Sequence, residues 1–382
     1  MALISHSSVE PRSFRLMDRW YAFRDRTVRN PAFQRWAARF PLTRPIARRR
    51  QRELFDLVAG FVYSQVLSAC VRLKVLEALA DGPRTTQELS SWLGLRSDAT
   101  QKLLAAAAAL RLVSERGPGL YGLGDLGAAL LGNPGVAAMV EHHAILYDDL
   151  RDPVALLRGE VETPKLSAFW AYASTRAPDA LSNDRVDTYS RLMAVSQDFI
   201  ANEILDAYPL ASHKRLMDVG GGHGAFITAA AARAPHLAFT LVDLPAVAKQ
   251  AEATFRTAKI SDRATAVGAD MFRDALPVGA DVISLVRVLY DHDRSRVLTL
   301  LRAARAALPE GGTLLVAEPM AGTPGAEAVG AAYFGFYLMA MKGGDARRPE
   351  EIAALIREAG FRDVKQVKTA SPLLTGLLVA RA

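Results

Sequence analysis

The chain has 382 residues, half of them hydrophobic and 23% charged, a balance that suits a soluble enzyme of two or three domains and excludes a disordered or fibrous chain. A single cysteine, Cys70, excludes an intramolecular disulfide and a cysteine-based metal cluster, and no metal site is predicted. The net charge of +7 is concentrated: thirteen arginines between Arg12 and Arg52 stand against only Asp18 and Asp25, so the remainder is near neutral or acidic.

Residues 1–52 therefore read as a basic arm. Met1 to Arg15 carries charges and a proline where a signal peptide would be apolar. Phe14, Met17, Trp20, Tyr21 and Phe23, then Phe33, Trp36 and Phe40, are interleaved with the arginines. That is the pattern of an interfacial amphipathic helix on an anionic surface, which leaves two readings: contact with lipid, or packing on a sister subunit.

Residues 53–185 read as a mostly helical domain. Leu54, Val58, Phe61, Val62, Val66 and Leu67 form an apolar stripe on a helix expected from Glu53 to Leu79. Thr85 and Thr86 before Gln87 and Glu88 signal a helix cap, Gly94 a break, and Ser97 to Leu110 another helix. Leu112 to Tyr121 then reads as a hairpin, completing a winged helix. Its second helix offers only Gln101 and Lys102 before a run of alanines, which is poor for reading base edges, so packing is favoured over nucleic acid. Gly124 to Arg158 is expected to be helical, and contains His142-His143 and Tyr147. Adjacent residues on a helix diverge, so the two histidines are poor co-ligands for a metal; His143 or Tyr147 lining a substrate cavity is the better use. Asp187 to Ala207 reads as a long helix carrying Met193.

From residue 186 strands and helices alternate, which predicts an α/β domain with a mainly parallel, doubly wound sheet and its ligand at the carboxyl ends of the strands. The first strand, Leu216 to Val219, runs through Asp218 into Gly220-Gly221-Gly222-His223-Gly224, a turn whose glycines permit positive φ and close approach of a ligand. The same residues fit G-x-G-x-x-A, leaving nicotinamide and flavin open at this point. Asp243 ends the second strand about 20 residues later, placed to accept ribose hydroxyls or simply to cap the next helix. Asp270-Met271 pairs an acceptor for an exocyclic amine with a polarisable apolar side chain for a flat base.

The glycine turn, Asp243-Leu244-Pro245, Gly268-Ala269-Asp270-Met271-Phe272 and Leu308-Pro309-Glu310-Gly311-Gly312-Thr313-Leu314-Leu315-Val316-Ala317-Glu318 together resemble the S-adenosylmethionine-dependent O-methyltransferases of the plant caffeate and acetylserotonin type. The resemblance runs from Glu53 to the end and implies a Rossmann-like methyltransferase domain, a winged-helix dimerisation domain and a homodimer. It implies that Gly220 and Asp243 hold the ribose and methionine portions of S-adenosylmethionine, with Asp218, Gly222 and Leu244 beside them, and that Asp270 and Met271 flank the adenine. Arg287 lies near a basic cofactor contact of some relatives. Where that family has its catalytic His followed by Asp, this chain has Tyr290-Asp291, with His292 next; Glu318 matches a supporting glutamate. The candidate catalytic set is therefore Tyr290, His292 and Glu318. The acceptor helix would carry Tyr333, Phe336 and Tyr337, to which His143, Tyr147 and Met193 are added as substrate contacts.

Among bacterial members, the arm, the Tyr-Asp-His-Asp variant and the apolar acceptor helix most resemble the carotenoid hydroxyl methyltransferases of purple photosynthetic bacteria. That resemblance implies a hydroxylated carotenoid substrate and a cytoplasmic protein peripheral on the inner, photosynthetic membrane. Ala328 to Met341, the most apolar late stretch, is shorter than the roughly 20 residues of a spanning helix, so no transmembrane segment is predicted. Two readings stand beside this one: methylation of another apolar hydroxy compound, such as a quinol, polyketide or pigment precursor, and a cofactor-binding regulator that uses the winged helix on DNA.

Overall fold

A computed structural model describes residues 12–169, 197, 199–372 and 375–382. Met193, the boundary expected near residue 185, and the first half of the helix expected from Asp187 lie outside the described residues. The chain divides into two compact units, Met1–Gly124 and Asp125–Ala382.

In the first unit the arm forms two helices, Arg12–Val28 and Pro31–Arg39. Asn30 caps the second by accepting from the Ala32 and Phe33 amides, and Pro31 sits where a missing N–H costs nothing. A 29-residue helix follows, Arg44–Arg72, beginning nine residues earlier than the apolar stripe predicts because Pro45 and a run of arginines start it. It ends at Lys74, which takes a positive φ of 56°, so the expected single helix to Leu79 is broken before the short Val75–Ala78 helix. By length and composition Arg44–Arg72 is also apolar enough to cross a membrane, which the sequence reading did not anticipate. Leu54, Phe55, Leu57, Val58 and Phe61 on it are each more than 60% exposed.

Thr85 caps the helix Thr86–Leu93 through a reciprocal pair: the Glu88 amide donates to Thr85 Oγ1 at 3.2 Å and the Thr85 amide donates to Glu88 Oε2 at 2.7 Å. The helix Ser97–Ala109 buries Thr100, Leu104 and Ala107. Strands β1 (Arg84–Thr85), β2 (Val113–Gly117) and β3 (Leu120–Leu123) form the wing, in the order β1-β3-β2. The winged-helix pattern is thus present, with the second helix committed to packing.

The second unit is built on a seven-stranded sheet: β4 (Arg215–Val219), β5 (Ala238–Asp243), β6 (Ala264–Gly268), β7 (Val282–Val286), β8 (Thr313–Glu318), β9 (Arg362–Val367) and β10 (Gly376–Arg381). Their order is β6-β5-β4-β7-β8-β10-β9, parallel from β6 to β8, with β10 antiparallel to both neighbours. Every residue of β7 and β8 is buried, as expected of strands covered on both faces. One core lies on each face, the first around Leu285, Leu301 and Ile356, the second around Phe226, Leu241 and Phe255. The strand order reverses between β4 and β7, so the carboxyl ends of β4, β5, β7 and β8 open on a common crevice.

Candidate active site

The cofactor side of the crevice is made largely by backbone. Gly220, Gly222 and Gly224 take φ of 72°, 58° and 81°, the left-handed conformation that favours glycine. A Cβ at Gly220 would lie 2.8 Å from Val288 Cγ2, whereas one at Gly222 would meet nothing within 4 Å, so the turn is packed below and open above. Asp243, half-buried at the end of β5, accepts from the Gly222 amide at 2.8 Å and the Leu244 amide at 2.7 Å. Burial raises its pKa and these two amides oppose the rise. It thus caps the chain entering the helix Pro245–Thr257 and holds the glycine turn at once. The Ala269 amide donates to Asp243 O at 2.8 Å, bringing Asp270 and Met271, both half-buried, to the same rim.

Asp218 lies deeper. It is 1% exposed, accepts from Ser284 Oγ at 2.6 Å, and would be 2.5 Å from a Cβ on Gly221. Burial pushes its pKa up to about 7, helped by Asp243 and opposed by Ser284. It supports the turn from beneath. An open glycine cradle, a carboxylate held at ribose distance in sequence, and an acidic and apolar pair beyond it fit an adenosyl cofactor. Gly220, Gly222, Asp243, Asp270 and Met271 are the residues that would hold it.

The acceptor side is made of side chains. The segment after β7 crosses over at Arg287, whose φ is +57°, and forms a single turn, Leu289–Asp291. Two groups lock that turn. Glu318, fully buried at the end of β8, accepts from the Val288 amide at 3.0 Å and the Leu289 amide at 2.6 Å through one oxygen. Arg347, also buried, donates to Leu289 O at 3.1 Å and His292 O at 2.7 Å. Arg347 carries no motif; nothing in sequence marks an arginine satisfied by distant carbonyls.

Tyr290 is thereby fixed in a buried aromatic cluster, edge-on to Phe334 at 6.3 Å and with the Arg287 guanidinium 5.9 Å from its ring centre. Arg287 is grouped with Tyr290 here, on the acceptor side, rather than with the glycine turn. Burial raises the Tyr290 phenol well above its ordinary value, with Asp291 adding and Arg287 opposing. His292 faces elsewhere: its ring is edge-on to Phe272 at 4.7 Å, and burial, with Arg296, lowers its pKa to about 4. Tyr290, Arg287, Asp291 and Glu318 come together; His292 instead joins the wall next to Met271.

The helix Pro134–Asp149 supplies the opposite face. His142 Nε2 pairs with Tyr337 Oη at 2.9 Å and His143 Nε2 with Tyr333 Oη at 2.7 Å. Tyr333 and Tyr337 are one turn apart on the segment formed by a π-helical stretch, Val329–Phe334, and the helix Gly335–Met341. Hence two adjacent histidines each reach a tyrosine of the facing helix, and His142 belongs to the site as much as His143. Burial lowers both imidazoles, His142 to about 4, so they are neutral partners of the phenols. Tyr147 packs edge-on to His143 at 6.3 Å, and Phe336 is half-buried. Among the described residues no cluster of three or more His, Cys, Asp or Glu is placed to hold a metal.

A doubly wound sheet with its terminal antiparallel strand, a glycine cradle for an adenosyl group, and an enclosed aromatic acceptor face define a methyltransferase, and the chain belongs to the O-methyltransferase family. The family's O-methyltransferase domain matches residues 147–362 and its dimerisation domain residues 55–133. S-adenosylmethionine is its cofactor, and the dimerisation domain supports a homodimer. The chain is 44% identical to the demethylspheroidene O-methyltransferase of Cereibacter sphaeroides, with 91% of each chain covered. It is equally similar to the enzyme of that name from Rhodobacter capsulatus, covering 90% of this chain and 85% of that one. Among solved structures, the apo form of the S-adenosylmethionine-dependent methyltransferase SibL superposes with a TM-score of 0.73 at 26% identity, covering 86% of this chain and 98% of that one. Human N-acetylserotonin methyltransferase in complex with S-adenosylmethionine shares the fold, with a TM-score of 0.70 at 22% identity over 87% of this chain and 97% of that one.

Proposed function

We propose that this chain methylates the 1-hydroxy end group of an acyclic carotenoid of the demethylspheroidene type, working at the face of a membrane. The observation that carries this reading is the 44% identity, across nine-tenths of both chains, with the Cereibacter sphaeroides demethylspheroidene O-methyltransferase. The acceptor face is consistent with such a substrate. Leu146, Leu166, Leu338 and Met341 pack with Tyr290 and Tyr337, and the polar groups of Tyr333 and Tyr337 are already engaged by the two histidines. A wall of that kind suits a long apolar molecule with one polar end.

When bound, the cofactor supplies a methyl group activated on a sulfonium. Part of the chain's own contribution is positional. The Glu318 and Arg347 clamps fix the turn that carries Tyr290, and the aromatic cluster excludes water, so that a weakly acidic alcohol is held where in-line attack is geometrically available.

The arm supports the membrane part of the reading. Trp20, Phe23 and Trp36 are more than half exposed beside arginines, and the arm lies upstream of the residues matched by either domain. The protein would then work peripherally at the cytoplasmic face of the inner, photosynthetic membrane. Incubation with methyl-labelled cofactor and a lipid extract containing 1-hydroxycarotenoids is expected to place label in a carotenoid methyl ether. Label confined to a quinol or polyketide fraction would overturn the substrate. Changing Trp20, Phe23 and Trp36 together to Glu is expected to release the protein from anionic vesicles without altering cofactor affinity; a variant that still sediments with them rules out the arm as the anchor.

A further inference from the structure

Three buried polar atoms with no hydrogen-bond partner lie on the residues surrounding Tyr290: Arg287 Nε, Asp291 Oδ1 and Glu318 Oε2. Thr375 Oγ1, just before β10, is the remaining one among the described residues. Native proteins rarely leave such groups unmatched, because each forfeits roughly 1–3 kcal/mol of hydrogen bonding when buried alone. Three within one turn and one adjoining strand end call for a ligand. They comprise one donor and two acceptors. An alcohol is the complement: its oxygen accepts from a guanidinium N–H while its own proton is donated to a carboxylate oxygen.

The backbone holds this arrangement under constraint. Arg287 is kept at φ +57° by its amide's bond to Ala317 O at 2.8 Å, a conformation unfavourable for a long side chain and characteristic of sites where geometry serves function. Glu318 uses its other oxygen to fasten Val288 and Leu289, so Oε2 cannot swing away without releasing the turn. Asp291 is pinned from the far side, where a Cβ on Gly344 would lie 2.9 Å from Asp291 Cα and the Asp345 amide donates to Tyr290 O at 2.8 Å.

We propose that Arg287, Asp291 and Glu318 bind the acceptor hydroxyl and that Asp291 takes its proton, replacing the histidine that this turn lacks. The proposal rests on the carotenoid-alcohol reading above. As the acceptor oxygen takes the methyl group its O–H bond breaks; the proton passes to Asp291 Oδ1, and the electron pair of the broken carbon–sulfur bond stays on the departing sulfur. Arg287 lies between the two carboxyls and steadies the charge on whichever is ionised.

The charge balance agrees. Arg287 and Tyr290 on its own turn and Glu318 from β8 interact with Asp291, Tyr337 from the acceptor helix faces Arg287, and Arg347 from the following loop is engaged by carbonyls. One guanidinium, that of Arg287, acts on two buried carboxyls. Burial accordingly raises Asp291 to about 7, opposed by Arg287, and raises Glu318 to about 8, opposed by the Leu289 amide. A carboxyl whose value is raised toward neutrality is well matched to general-base work.

The experiment combines turnover of the wild-type dimer on a 1-hydroxycarotenoid, the same assay on Asp291→Asn and Glu318→Gln, and an infrared pH titration of each protein's carboxylic-acid carbonyl stretch. The proposal expects Asp291→Asn to lower kcat by about 10²–10⁴-fold with cofactor affinity by calorimetry unchanged. It also expects a neutral-carboxyl band in the wild type that titrates between about 7 and 8 and weakens in both variants. Should the wild type turn over while Asp291→Asn keeps its rate and pH profile, the proposal is overturned and the substrate reading stands. If the wild type methylates no carotenoid alcohol, the substrate reading fails and the infrared band decides alone: its presence, diminished in both variants, supports neutral carboxyls at this turn, and its absence overturns the proposal.

Discussion

The two sides of the crevice are built by different means. On the cofactor side, backbone amides and glycine conformations make the surface, and Asp243 accepts from the Gly222 amide, 21 residues away, and from its neighbour Leu244. On the acceptor side, side chains from segments about 190 residues apart make it: His142 with Tyr337 and His143 with Tyr333. A backbone surface tolerates few substitutions but is indifferent to the molecule beyond it. A side-chain surface can be rebuilt one residue at a time, which is how one fold serves many acceptors.

Among changes that test this contrast, the largest effect should follow from breaking the backbone side. Asp243→Ala removes the acceptor of two amides and the carboxylate at the ribose position. Hydrogen bonds to a charged group contribute about 1.5–3 kcal/mol each, so cofactor affinity is expected to fall by roughly tenfold to over a hundredfold. Calorimetry with S-adenosylmethionine checks this. An affinity within twofold of wild type, on the order of experimental scatter, would remove Asp243 from the cofactor surface.

That contrast also explains what could be read in advance. Gly220, Gly222 and Asp243 were legible because positive φ and a strand-end carboxylate leave a mark at fixed spacing, and the strands followed because β7 and β8 are mostly apolar and buried throughout. Tyr290 and Glu318 were legible only through the family pattern. Arg347 was not legible at all, since its partners are backbone carbonyls 55 and 58 residues away, which no side-chain identity records. The His142-His143 pair was expected to supply one cavity residue, because adjacent helical residues diverge; both instead reach tyrosines one turn apart. His292, two residues from Tyr290 in sequence, turns its ring to Phe272. The early start of the long helix at Arg44 was masked by its charges.

A smaller effect separates clamp from charge. Glu318→Ala leaves the Val288 and Leu289 amides buried without an acceptor and is expected to cost about 1–3 kcal/mol of stability, whereas Glu318→Gln keeps an oxygen there. The pH dependence runs with the raised value. Because burial lifts the folded carboxyl from 4.5 to about 8, the neutral form favours the fold fully below pH 4.5, and that advantage is lost as pH rises to about 8. Urea midpoints across this range should therefore fall more steeply in the wild type than in Glu318→Gln, in which Asp218 and Asp291 still contribute up to about 7. Parallel curves would mean that Glu318 is ionised in the fold.

The smallest effect tests whether the acceptor side is independent of the cofactor side. Tyr337→Phe removes the 2.9 Å bond to His142 and leaves a buried, neutral imidazole with one fewer partner. Tyr333→Phe does the same to His143 at 2.7 Å, but there both rings are less deeply buried. A neutral hydrogen bond of this kind contributes roughly 0.5–1.5 kcal/mol, so each change should lower the thermal midpoint modestly, Tyr337→Phe more than Tyr333→Phe. Because the phenols shape the acceptor wall and touch none of the glycine turn, KM for the alcohol should rise while the dissociation constant for S-adenosylmethionine stays unchanged. A cofactor affinity that moved with KM would show that the two sides are coupled. The natural route would be the β7–β8 turn, where Val288 packs against Gly220 and its amide is held by Glu318.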